Sequence, residues 1–455
     1  MSLDLGGLAA NVSTLDDLAA YLRGAERPAG RWLIGVEHEK IGVRGPRLEA
    51  VPYHGPQGIR ELLDAIARSA GGTQHRHKEN GQPIALLSKD ASVTLEPGGQ
   101  LELSGAPARS FAQIGKEIAD HLEEVRKDSR GIQWLAGGYR PSGTVADAHW
   151  MPKGRYAAMK SSLGPRGPLA LDMMLMTATV QANLDWSDEK DLAEKVRAAT
   201  AVSPIVSALF ANSPLRHGRE SGFLDFRYQV WRETDPARCG LLEQMLRPGW
   251  GYMSYVEWAV DVPMLFVRQG ADYHDAQGQT FRSWLSSGRL ASGEKQQPTL
   301  SHWADHLSTL FPEVRVKRVM ELRGADMVPM PMLLSLPVLW VGLLYDAAAR
   351  EAAWQLTRHW SFAELLDFQG EVARRALGAR GPGGVTAHEL ARELVAIARW
   401  GLQGWKKASG FDESAHLDPL TDIVASGRTV AERVLDAFRA SGGDPASVLE
   451  LWRIA

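Results

Sequence analysis

With 455 residues, 44% of them hydrophobic and 23% charged, the chain has an ordinary globular composition and enough length for a large core. A formal net charge of −3 provides no basic field for nucleic acid or for an acidic membrane surface, so neither is an expected partner. Cys239 is the single cysteine, which excludes an internal disulfide and a cysteine-rich zinc site and fits a reducing compartment.

Taken in chain order, residues 1 to 30 read as one helix and a Gly/Pro-containing link. STLDDLAAYL has the signature of a capped helix start, and the N-terminus carries neither a basic region nor a long apolar run, so a cytoplasmic protein is expected. From residue 32 to about 105, short β-like runs alternate with one helix, GIRELLDAIARSA (58 to 70). A second helix, FAQIGKEIADHLEEVRKDS (111 to 129), leads into the strand IQWLAGGY. Further strands are expected at MLMTATVQANLDW (174 to 186), GFLDFRYQVW (222 to 231) and EVRVKRVMELRG (313 to 324). The most membrane-like stretch, LPVLWVGLLY (336 to 345), is far shorter than the roughly 20 apolar residues a span needs. After Asp346 the chain reads as helix, with a Gly-rich break at GARGPGG (378 to 384) and a loop at SGFDESAHLDP (409 to 419). The pattern describes an α+β core over 31–345 with a C-terminal helical layer, 346–455, integrated into one domain.

Several strands share an unusual composition. In LEPGGQLELSG (95 to 105) the turn Pro97-Gly98-Gly99 separates Glu96 from a strand on which Gln100, Glu102 and Ser104 face one way. In IGVEHEKIGV, Glu37 and Glu39 share a face about 7 Å apart, a spacing that holds two ionised carboxylates comfortably only beside a cation. Read at the same period, Thr177, Thr179, Gln181, Asn183 and Asp185 line one face of the third strand. Asp225, Arg227, Gln229 and Trp231 line a face of the fourth, and Arg315, Lys317, Glu321 and Arg323 a face of the fifth. A solvated outer sheet face is the ordinary explanation for any one of them. Five together, crowded with carboxylates and arginines beside aromatics, describe a cupped site for cations and anions. Hard oxygen donors without cysteine favour magnesium or manganese, ions that commonly accompany phosphates. No P-loop, G-x-G-x-x-G, H-E-x-x-H or G-x-S-x-G motif is present.

The segments GVEHEKIGV, LEPGGQLELSGAP, MPKGRYAAMKSSL, LDMMLMTATVQANLDW, ALFANSP, GFLDFRYQVWRETDP, VDVPMLF, FPEVRVKRVMELRGAD and LPVLWVGLLYD resemble, in that order, the plant and proteobacterial type of glutamate–cysteine ligase, over roughly residues 30 to 440. The resemblance implies a glutamine synthetase-like curved antiparallel sheet forming a funnel. It also implies ATP-dependent activation of the γ-carboxylate of glutamate as an acyl phosphate, which the amino group of cysteine then attacks. By that resemblance Glu37, Glu39, Glu96, Glu102 and Glu321 are candidate ligands for two or more Mg²⁺ ions. Arg155, Tyr156, Thr179, Arg227 and Trp231 are candidates for the substrate, Lys153, Asn183 and Arg323 for ATP, and Arg227 and Arg323 for the chemical step. Tyr156, Trp186 and Leu265 stand where the family lines its acceptor pocket.

The chain departs from the family pattern at RGADMVPMPML (323 to 333), where RGADGGPWRRL is usual, at Trp186 in place of phenylalanine, and at Leu265 in place of tyrosine. These departures admit a ligase for a different amine, or a catalytically silent binding relative, as alternatives. The chain is expected to act as a monomer or homodimer.

Overall fold

The computed structural model describes residues 8–69, 71 and 73–454; residues 1–7 of the expected N-terminal segment lie outside the described residues. Its centre is a ten-stranded sheet in which every pairing is antiparallel. The strands are β1 (Ile34–Arg44), β2 (Glu49–Ala50), β3 (His75–Glu79), β4 (Gln82–Leu87), β5 (Ser92–Leu95), β6 (Leu101–Ser104), β7 (Gln133–Leu135), β8 (Val180–Leu184), β9 (Val314–Val316) and β10 (Met320–Leu322). Their spatial order is β9-β10-β8-β1-β6-β5-β4-β3, with β2 and β7 paired to the far end of β1. The sheet thus brings together segments nearly 300 residues apart in sequence, from β1 at Ile34 to β10 at Leu322, with β8 between them.

The helices that matter for the site are α1 (Leu15–Arg23), α2 (Ile59–Ser69), α3 (Phe111–Asp128), α4 (Gly154–Leu163), α5 (Ala170–Met176), α6 (Glu189–Leu209) and α7 (Phe226–Arg232). Helix α1 begins with the expected cap: Thr14 accepts from the Asp17 N–H, and the Asp17 carboxylate accepts from the Thr14 N–H. From Ala347 onward helices follow one another, and Ala347–Gln355, Phe362–Arg375 and Ala387–Ser409 pack against α6. The apolar stretch around Leu336 forms a helix, Ser335–Leu344, buried at every position against Ala387–Ser409. Among the described residues no single helix is long and apolar enough to cross a membrane.

Three expectations need correction. GFLDFRYQVW is not a strand: Asp225 caps Tyr228 N–H at 2.8 Å and starts the helix α7. The stretch from Met174 splits into the end of α5 and a shorter strand beginning at Val180. Residues 313 to 324 form a hairpin rather than one strand, closed by Lys317 N–H to Val319 O at 3.0 Å, with Arg315 directly opposite Glu321. Arg155 and Tyr156 lie in the first turn of α4.

Candidate active site

One face of the sheet holds the acids. Along β1 and β6 the half-buried Glu37, Glu39, Glu102 and Ser104 alternate with fully buried Val36, His38, Lys40, Leu101 and Leu103. Glu39 lies directly across from Glu102, and Glu37 is flanked by Ser104 on one side and Gln181 on the other. The hairpin from β5 to β6 adds Glu96: its N–H donates to Gln100 O and its carbonyl accepts from Gly99 N–H, both at 2.9 Å. Gly99 sits at φ +85°, a conformation side-chain-bearing residues avoid, which is why the turn carries glycine. Gln100 pins the hairpin by donating from Nε2 to Thr177 O at 2.8 Å.

Neutral donors hold the carboxylates in place. Asn183 Nδ2 donates to Glu37 at 2.9 Å, Thr179 N–H to Glu39 at 3.1 Å, and Thr94 Oγ1 to Glu102 at 2.9 Å. They do not balance the charge. Burial, followed by the nearby Glu96 and Glu102, holds the Glu39 carboxyl well above its usual range, against a smaller pull from Arg227 and Arg323. Glu37 is pushed up to about 7, by burial first and then by Glu321 and Glu102.

Glu321 is different. It is fully buried, pairs with Arg315 at 2.6 Å and Lys317 at 2.7 Å, and also meets Arg323. Although burial opposes ionisation, these three cations together hold its carboxyl well below the usual range. As placed it is the hub of an ion-pair cluster. Strand alternation put Arg315 and Lys317 on this face without giving them a role; the available signal was their spacing around the tight hairpin turn.

The arginines converge from separate elements. Arg227, from α7, donates to Gly324 O at 3.2 Å and Arg323 O at 3.1 Å, so its guanidinium is held by the backbone that carries Arg323. Arg323 donates to Gln181 Oε1 at 3.0 Å. Both guanidinium groups lie over the Trp231 ring, at 5.8 and 5.5 Å from its centroid. Lys153 Nζ at 2.8 Å and Tyr156 Oη at 2.5 Å both donate to Leu95 O, the residue before Glu96, so α4 braces the acidic hairpin. Arg155 reaches Ser308 at 3.4 Å and lies over Phe266. Leu265 is buried beside α4, its carbonyl accepting from Ser162 at 2.7 Å. Trp186 is fully buried, with its indole N–H on Tyr252 Oη at 2.7 Å, and that hydroxyl donates on to Glu26. This makes Trp186 part of a core network.

Arg155 Nε, Asn183 Oδ1, Arg227 Nε and Trp231 Nε1 are buried without a hydrogen-bond partner, in an interior where such atoms are normally satisfied. They give this face free capacity for a polar ligand. The all-oxygen donor set suits a hard cation. Among the described residues no three Asp, Glu, His or Cys side chains already stand as a metal cage. The fit rests instead on Glu96 and Glu102 crowding Glu39, an excess of negative charge that a cation would relieve. Glu321, already neutralised, lacks that property. Two clefts open elsewhere, about 320 Å³ between α2 and the end of α3 and about 430 Å³ between α3 and the strands beside it; neither is lined by a candidate residue.

Residues 33–450 match the family model described as Glutamate-cysteine ligase family 2 (GCS2). The chain is 38% identical to the chloroplastic glutamate–cysteine ligase of Nicotiana tabacum over 438 residues, 96% of this chain and 82% of that protein. It is 39% identical to the corresponding protein of Brassica juncea over 432 residues, 94% of this chain and 82% of the relative. The protein of Arabidopsis thaliana aligns at 38% over 432 residues, covering 94% and 81%. Among solved structures, the glutamate–cysteine ligase of Francisella tularensis in complex with AMP aligns with a TM-score of 0.46 and 13% identity over 92% of this chain and 93% of that one, too loose a likeness to argue from.

Proposed function

The chain belongs to glutamate-cysteine ligase family 2, and from that premise we propose that it joins the γ-carboxylate of L-glutamate to the amino group of L-cysteine, driven by ATP. The observation that carries the reading is the acid-rich face of β1 and β6, set against Arg227 and Arg323, on a chain that aligns with its relatives over nearly its whole length. The silent-relative alternative is disfavoured because all five candidate carboxylates are present; in the divergent segment Met327, Val328 and Met332 are buried, while Met330 is half-buried and Pro331 exposed. Leu265 keeps a different acceptor amine as a second reading, since this buried residue, whose carbonyl accepts from Ser162 of α4, puts an apolar side chain where the family has tyrosine.

In this reading Glu37, Glu39, Glu96 and Glu102 would hold Mg²⁺, which would offset the negative charge of the ATP phosphates. Glu321 acts indirectly, by fixing Arg315, Lys317 and Arg323. Arg227 and Arg323 stabilise charge on the transferring phosphoryl group, since both are fixed in place before reaction. Arg155 and Trp231 receive the glutamate through their unpartnered N–H groups, and Asn183 meets the nucleotide. Tyr156 and Lys153, whose donors are engaged by Leu95, shape the pocket rather than bind with those atoms. Thr179 is likewise engaged, donating to Ala325 O at 2.6 Å. The buried thiol of Cys239 fits a reducing compartment, cytoplasm or plastid.

The test is ADP release by the purified chain with ATP, Mg²⁺ and glutamate, with cysteine and a panel of other amines as acceptors. γ-Glutamylcysteine should appear only with all four present, and hydroxylamine should trap the activated carboxylate as a hydroxamate. No ADP with any acceptor would overturn the ligase reading; a hundredfold preference for another amine would overturn cysteine.

A further inference from the structure

Beneath the arginines lie two fully buried carboxyl groups, Asp225 and Asp326. Asp225 Oδ1 accepts from Tyr228 N–H at 2.8 Å as the cap of α7, and Asp326 Oδ2 accepts from Asn212 N–H and Ser213 Oγ, both at 2.7 Å. The other oxygen of each, Asp225 Oδ2 and Asp326 Oδ1, has no N–H or hydroxyl partner. The two carboxyl groups lie side by side across one hydroxyl: Ser213 Oγ stands 2.7 Å from Asp326 Oδ2 and 3.5 Å from Asp225 Oδ1. Such a contact between two ionised carboxylates is repulsive, whereas one proton placed between them satisfies both remaining oxygens. Gly138 closes the pocket: a Cβ there would sit 2.1 Å from the Asp326 carboxyl, so the pair cannot spread that way.

We propose that Asp225 and Asp326 share one proton, Asp225 Oδ2–H donating to Asp326 Oδ1, and that this bond is the clasp holding α7 to the 323–326 segment so that Arg227 and Arg323 keep their relative position. Ser213 links the parts, accepting from Arg227 N–H at 3.0 Å while donating to Asp326. Arg227 in turn grips the Arg323 and Gly324 carbonyls, just before Asp326. The charged group facing the pair is Arg227, which favours one negative charge on the pair, while burial first and then the neighbouring Asp326 push the Asp225 carboxyl well above its usual range. Both aspartates are positioning residues. The role given to the arginines rests on the ligase reading above; the shared proton does not.

The experiment uses Asp225→Asn, Asp225→Ala and Asp326→Ala in the full chain. The side-chain amide introduced by Asp225→Asn supplies the same cap acceptor and the same donor to Asp326. Asp225→Asn should therefore keep kcat within about threefold, while each alanine lowers kcat at least about tenfold with little change in the KM for glutamate. A second measurement needs no activity. A carboxyl protonated when folded and ionised when unfolded loses stability as pH rises above its unfolded pKa of about 4, so the Tm of Asp225→Asn should climb relative to the native chain between about pH 5 and 8. A gap that stays flat with pH, or an Asp225→Asn variant as impaired as Asp225→Ala, overturns the shared proton. A native chain that releases no ADP sinks the ligase reading and leaves the Tm comparison to decide this one.

Discussion

Glu39 and Glu321 are the same residue type on the same sheet, yet removing their charge should move stability in opposite directions. Glu39→Gln keeps an oxygen to accept from Thr179 N–H and removes a carboxyl that Glu96 and Glu102 oppose. Relief of like charges across neighbouring strands is worth up to about 1 kcal/mol, more when buried. Glu321→Gln leaves Arg315, Lys317 and Arg323 around a neutral group, and breaking one partner out of a buried ion pair costs about 3–5 kcal/mol. Unfolding entropy near 2.1 cal/mol/K per residue over 455 residues gives about 1 kcal/mol per degree, so Tm at pH 7.5 should rise by about 1 °C or more in the first variant and fall by about 3–5 °C in the second. The pH dependence separates them further. Glu39 is raised, so its penalty exists only above the unfolded pKa and the gain from Glu39→Gln disappears below about pH 4.5. Glu321 is depressed, so its contribution persists at pH 4.5 and fades only in stronger acid. Scanning calorimetry without added metal or nucleotide reads both, beside ADP release, which should be lost in each. A Glu39→Gln protein that melts several degrees lower, or a Glu321→Gln protein that melts unchanged, refutes the account of the charges.

Glu313, fully enclosed and bonded by Tyr228 and Gln369, is pushed up to about 7 by burial, so Glu313→Gln should gain about 3 kcal/mol at pH 8, a gain that vanishes below pH 4.5; denaturant titrations at the two pH values check it. Cys239 is buried and its thiol pushed up to about 12, chiefly by burial, so it should resist thiol reagents until the protein unfolds, and Cys239→Ser should keep native activity under mild oxidant or reductant. Chelation should abolish ADP release and Mg²⁺ restore it, and Glu96→Gln and Glu102→Gln should each raise the Mg²⁺ needed for half-maximal rate by roughly tenfold or more. An unchanged Mg²⁺ requirement in both would remove them from the metal site.

The acid face was legible because a strand's period of two is visible in any single segment. Glu37 and Glu39 on β1, and Glu102 and Ser104 on β6, needed only that alternation to be placed together. What a lone segment cannot show is which strands are neighbours, and the register that sets Glu39 against Glu102 is fixed by a hairpin and a long return rather than by either strand. Residues 222 to 231 show a different limit. Arg227 and Trp231 are four apart, a spacing that shares a face on a strand and on a helix alike, so they were correctly joined on the wrong element. Asp225 and Gln229 were not so protected. The first turned away to cap the helix and meet Asp326, and the second moved toward its partly exposed side with Arg232 and Glu233.

That same cap explains why propensity alone misjudged the segment. FRYQVW is rich in aromatic and β-branched residues that favour strands, but those preferences are weak beside tertiary contacts. Here the competing terms are strong: Asp225 satisfies an end N–H of the helix, Ser213 satisfies another, and the buried Tyr228 and Phe226 fill the core beneath. A strand through these residues would carry Arg227 away from the Arg323 and Gly324 carbonyls that fix it. The helix is therefore selected by the contacts that also orient the arginine. The same logic applies to the hairpin of β9 and β10, where the turn that interrupts the expected strand is what folds Arg315 and Lys317 back onto Glu321. In both places the departure from the simplest reading of the sequence lies at or beside Arg227 and Arg323, the two residues proposed to meet the phosphoryl group: a regular strand presents its side chains in one row, whereas surrounding a small, highly charged group would require elements that approach from more than one direction.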